Sequence, residues 1–132
     1  MKLDLKELIS KLTNTPIIVE QGTSGIWTYR KWSDGTAECW GIYQGTVSSW
    51  ATWGSMYYGE PYTAFYTNYP TGLFISAPVV TAQPVGSPVD IWFAKAGGDG
   101  TKDHFPSYFP MRASSSSGIV ISVSVHAIGK WK

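Results

Sequence analysis

Charge is scarce in this chain of 132 residues, where Asp, Glu, Lys and Arg together make up only 14%, against roughly 25% in an average globular sequence. Ten Lys and Arg offset nine Asp and Glu to leave a net +1, and Arg30-Lys31 is the only adjacent basic pair. Neutralising nucleic-acid phosphates takes a clustered basic face, so nucleic-acid binding is set aside as a function class. Cysteine is nearly absent. Cys39 stands alone, and no intrachain disulfide can form. No apolar run approaches the ~20 residues that span a bilayer, so membrane insertion is not expected. Lys2, Asp4, Lys6 and Glu7 occupy the stretch where a secretory leader would be apolar. The expectation is a protein made in the cytoplasm that leaves by lysis or as part of a particle.

What the chain has in abundance is aromatic surface. Seven Trp, eight Tyr and five Phe bring the aromatic share to 15%. Apolar surface on this scale offsets chain entropy and argues against disorder. A body of this size has limited room for so many large rings, so some are expected to meet another chain or a ligand.

The period of the apolar pattern changes once along the chain. Residues 3–12 read as a helix, with Leu5, Leu8 and Leu12 at i, i+3, i+7 spacing and Ile9 beside them. Asp4 suits its N-terminal dipole and Lys11 its C-terminal one, while Pro16 disfavours helical geometry in the residue before it. So short a helix needs packing, either on its own β body or along a seam shared with other copies. From residue 16 the signals are strands: 16–21, then 25–32 and 36–43 flanking Ser33-Asp34-Gly35, a hairpin turn. With a two-residue loop Tyr29 faces Trp40 and Lys31 pairs with Glu38, the favoured register because it gathers aromatics on one face. With Ser33 in the loop the partners become Arg30–Glu38 and Thr28–Trp40.

Further strands are predicted at 62–69, 73–85, 88–95 and 118–131, with another near 108–112. In the last long strand Ile119, Ile121, Val123 and Val125 share one face, and Val120, Ser122, Ser124 and His126 the other. No internal repeat is present. The predicted fold is mainly β, an antiparallel sandwich with one short N-terminal helix, divided into an oligomerisation helix (1–15) and a single β domain (16–132).

Chemistry has few places to reside. Cys39 alternates with aromatic neighbours and reads as a small buried thiol. His126 has no acidic neighbour in sequence, Ser114–Ser117 lack a nucleophile-elbow pattern, and no spacing singles out two carboxylates for glycoside cleavage. Asp99, Asp103 and His104 share a Gly-rich loop without the Asp spacing of a calcium loop, and a solvated turn is the expectation there. No enzyme activity, metal or cofactor is expected. The aromatic belt between residues 45 and 69 is different: flat rings with polar tips suit the apolar C–H faces of sugars. The candidate ligand residues are Trp50, Trp53, Tyr57, Tyr58, Tyr62 and Tyr66, joined by Asp103, His104 and Tyr108 from the later loop. The bland alternative is that most of these rings fill a core or a subunit interface.

Two stretches carry a family resemblance. Residues 22–41, GTSGIWTYRKWSDGTAECWG, resemble a segment that recurs in tail-fibre and minor structural proteins of phages and prophages of Gram-positive bacteria, where it opens the C-terminal β domain. The ending SVHAIGKWK (124–132) resembles the close of those domains, and APVVTA (77–82) looks like their central strand. The resemblance spans roughly residues 17 to 132. It implies a trimeric β-sandwich tip, broadly like the H-type lectin arrangement, that attaches a virion to a host-surface glycan. It transfers no defined site residues. The expected partners are two further copies of the chain, gathered along Leu5, Leu8, Ile9 and Leu12, and a host-cell glycan. The rival expectations are a structural tail protein that contacts other tail proteins, and a hydrolase of surface polysaccharide.

Overall fold

The computed structural model describes residues 4–60, 67–86, 90–95, 98–115 and 118–132. It begins with helix α1, Leu5–Thr13, and continues through nine strands: β1 Ile18–Ser24, β2 Trp27–Trp32, β3 Thr36–Val47, β4 Ser49–Trp53, β5 Met56–Glu60, β6 Val79–Val85, β7 Trp92–Lys95, β8 Tyr108–Arg112 and β9 Ile119–Lys130. They form two antiparallel sheets, ordered β1-β2-β3-β9-β6 and β4-β5-β8-β7. The mainly β sandwich with a short N-terminal helix is the fold expected from the pattern.

The spine is the pairing of β3 with β9, unbroken from Thr36↔Lys130 to Val47↔Ile119. Strict alternation on both strands creates one dry face, where Cys39, Ile121, Val123, Val125 and Ala127 are buried. Trp27, Tyr69, Leu73, Phe74 and Phe105 complete the core, and Trp50, Phe93 and Tyr108 pack onto it from the second sheet. Gly41 is required here. A Cβ on it would collide with the Ile26 carbonyl and meet the Trp27 ring at 3.4 Å.

The β2–β3 hairpin takes the register that was not favoured. Thr28 faces Trp40, Tyr29 faces Cys39 and Arg30 faces Glu38. Local chemistry of the turn decides this. Gly35 sits at φ 93 and its N–H reaches the Trp32 carbonyl, while Asp34 accepts from Thr36 N at 2.9 Å. A three-residue loop with glycine in its left-handed position results. The end of β9 then clasps it, through Trp131 N to the Gly35 carbonyl at 2.9 Å.

Other boundaries also move. The predicted strand over 73–85 is paired only from Val79, because a turn bonds Leu73 N to the Pro70 carbonyl and buries Leu73 and Phe74 as a plug. Pro84 is tolerated because β6 is an edge strand. Residues 62–66 of the strand predicted at 62–69 lie outside the described residues, and Asn68 makes a single bridge to His104. The strand near 108–112 is present as predicted.

Helix α1 starts where Asp4 caps it, its carboxylate accepting from Glu7 N at 2.8 Å. It ends at Asn14, which adopts φ 55, two residues before Pro16 would have stopped it. Its apolar stripe is open: Leu5 is 70% and Leu12 77% exposed, with Leu8 and Ile9 also exposed.

Candidate functional site

The second sheet takes up the first part of the aromatic belt, from Trp50 to Tyr58. In the β4–β5 hairpin Trp50 pairs with Gly59, Ala51 with Tyr58, Thr52 with Tyr57 and Trp53 with Met56. Directly paired residues share a face and neighbours alternate. Trp50 and Tyr57 therefore look toward the first sheet, together with Arg112, the partner of Tyr57 on β8. The Arg112 guanidinium lies 5.8 Å from the Trp50 ring centre and pairs with Asp90 at 2.8 Å. Tyr108 packs on the core from the same side.

The opposite face is turned away from the first sheet and is mainly apolar, with Met111 buried within it. One row crosses the whole sheet, Ala51–Tyr58–Met111–Trp92. Phe109 meets the Tyr58 ring edge-on at 5.4 Å, and Trp53, 62% exposed, stands beside Met56 near the hairpin tip. Trp92 is 42% exposed at the far side.

The sequence candidates thus divide. Trp53 and Tyr58 are outward; Trp50, Tyr57 and Tyr108 are turned inward; Tyr62 and Tyr66 lie outside the described residues. Asp103 and His104 belong to a different region, beside residues 68 and 69. Asp103 offers its carbonyl to Tyr69 N at 2.8 Å, and His104 donates from Nδ1 to the Phe105 carbonyl at 2.8 Å. Asp99 is engaged by Lys95 at 2.6 Å, which holds its carboxyl below the usual range. Among the described residues no three His, Cys, Asp or Glu side chains gather as metal ligands, and no helix is long and apolar enough to cross a membrane. Cys39 is fully buried, and desolvation, followed by the Glu38 charge, pushes its thiol up to about 12.

Two constellations come from pairing that residue types alone did not reveal. On the outer face of the first sheet Glu38 Oε2 lies 2.8 Å from His126 Nε2, so a histidine without acidic sequence neighbours acquires one across the strands. Arg30 stacks over Trp40 at 4.9 Å and approaches Glu38 at 4.0 Å. On the inner face of β1 and β2 a cleft of about 320 Å³ is lined by Glu20, Thr23, Ser24, Tyr29, Lys31, Pro70, Thr71 and Leu73. One sequence signal pointed to it. Lys31 follows Trp27 and Tyr29 in the same alternation, which places a charge on a face that is otherwise core.

No protein-family model and no curated protein matches the chain. Among solved structures it is similar to an N-terminally truncated R1-type pyocin tail fibre, with 11% identity over 98% of this chain and 99% of that one, and a TM-score of 0.51. At that identity the likeness is one of architecture: this β sandwich has a fold found in a tail fibre.

Proposed function

We propose that this chain is the head of a phage-type tail fibre, a homotrimer that attaches a virion to a host-surface saccharide by binding alone. The observation that carries the proposal is the set of rings on the outer face of the second sheet, Trp53, Tyr58 and Trp92, on a sandwich with a fold found in a tail fibre. Indole and phenol rings offer flat faces to sugar C–H groups with little rotamer entropy to lose. The uncovered stripe of α1 supports self-association: three helices meeting along Leu5, Leu8, Ile9 and Leu12 would bury it and align three heads. Three weak sites then act together by avidity where their geometry permits.

One observation favours a second reading. The ring face is rich in apolar side chains, as the centre of a protein interface is, so a structural tail protein using it for protein contacts is the rival. A glycan array separates the two. The adhesin reading expects binding by the wild type and its loss in Trp53→Ala or Tyr58→Ala with the oligomer intact. Wild-type protein that binds no glycan leaves only the structural reading.

A further inference from the structure

We propose that the cleft between β1, β2 and the turn at 70–73 is a saccharide site of single-ring size, built for a neutral sugar with two adjacent free hydroxyl groups. The inference rests on the adhesin reading and goes beyond it, adding to the ring face of the second sheet a separate site on the first sheet and the ligand chemistry it takes.

The cleft is a prepared hydrogen-bonding surface. Lys31 Nζ lies 3.5 Å from Glu20 Oε2, and its ammonium sits 5.3 Å from the Trp131 ring centre. With only 21% of its side chain exposed, Lys31 is held in place from two sides. Tyr29 hydrogen-bonds to the same Glu20 carboxylate; burial first, then that carboxylate's charge and hydrogen bond, raise the phenol's pKa and keep it a donor. Gly22, paired with Tyr29 across the strands, makes room for the ring. A Cβ there would approach Tyr29 Oη to 3.1 Å.

An acceptor beside a held donor matches a vicinal diol, in which one hydroxyl donates a hydrogen bond to Glu20 and its neighbour accepts one from Lys31. Hydrogen bonds to charged groups are the stronger kind. Glu20 disfavours an anionic ligand and Lys31 a cationic one, so the match is to a neutral sugar. Ser24 and Thr71 add hydroxyls, and Pro70 and Leu73 supply an apolar wall for a C–H face. A volume of about 320 Å³ stands at the small end of ligand sites, roughly 300–1,000 Å³.

The test uses the full chain on an array of multivalent neutral monosaccharides and their deoxy analogues. Wild type should bind at least one sugar and fail on the analogue that lacks one of the adjacent hydroxyls. Glu20→Gln and Lys31→Met should each weaken binding roughly ten- to hundredfold, with circular dichroism and oligomer mass unchanged. Thr71→Val, on an exposed turn, carries the same test if either variant misfolds, with binding reduced about tenfold. Binding that survives all three substitutions but is lost in Trp53→Ala would overturn this inference alone. Wild type that binds no sugar would overturn the adhesin reading and this site with it.

Discussion

Trp131 donates its indole N–H to the main-chain carbonyl of Trp32 at 2.8 Å, across 99 positions of sequence. The same residue bonds Gly35 through its backbone, so the end of β9 closes over the turn between β2 and β3. Long-range closure of this kind reinforces the register that the three-residue turn sets in a hairpin whose own alternation permits two.

That clasp makes Trp131→Phe informative, because it keeps an aromatic ring on the core while removing the donor and the rest of the indole. The expected cost is about 1 kcal/mol, read as a lower urea midpoint at fixed chain concentration with an unchanged slope. An unchanged midpoint would mean that the indole hydrogen bond adds nothing to the closure.

Tyr69 offers the opposite case. It is buried among Trp27, Phe74 and Phe105, yet its hydroxyl has no hydrogen-bond partner among the described residues. Burying a hydroxyl without a partner is unfavourable, so Tyr69→Phe should be neutral or stabilising by up to about 1 kcal/mol. Thermal unfolding of the two proteins checks this, and a clear loss of stability would reveal a partner for the phenol.

Alkaline pH should weaken the fold through Cys39. Burial raises its thiol to about 12 in the folded chain, against about 8.5 in an unfolded one. The native state thus holds the proton more tightly. Stability is intact below pH ~8.5 and declines as pH rises toward 12. The phenols of Tyr29, Tyr69 and Tyr108, raised mainly by burial, act in the same direction. Urea midpoints measured from pH 7 to 11 should fall, and fall less steeply in Cys39→Ala. Ellman's reagent at pH 8 should label the folded wild type only as fast as it opens.

Much of the architecture was legible in the sequence because alternation leaves little freedom on long strands. Residues 119 to 125 declared their dry face through Ile and Val alone, and 108–112 emerged as a strand. The failures have physical causes. Gathering Tyr29 with Trp40 neglected Asp34 and Gly35, whose turn geometry demands a third loop residue. Ring chemistry alone does not say which way a ring points, and the parity of their strands packs Trp50 and Tyr108 against the core. Glu38–His126 and Glu20–Lys31 are cross-strand relations, invisible until the register is known.

Helix α1 should carry association and add little to the β body. Replacing Leu8 and Leu12 together by Lys puts like charges on the exposed stripe, where they would repel across any shared seam. The double variant should keep the wild-type β signal in circular dichroism while its oligomer dissociates. Loss of the β signal would instead make the helix part of the folding core.

The most direct measurement is the solution mass of the wild-type chain at micromolar concentration by size-exclusion chromatography with light scattering. The account predicts about 43 kDa, three times the chain's 14.5 kDa. A single species of 14.5 kDa would contradict it, since a lone chain leaves the stripe of α1 and the outward rings without the neighbours proposed for them.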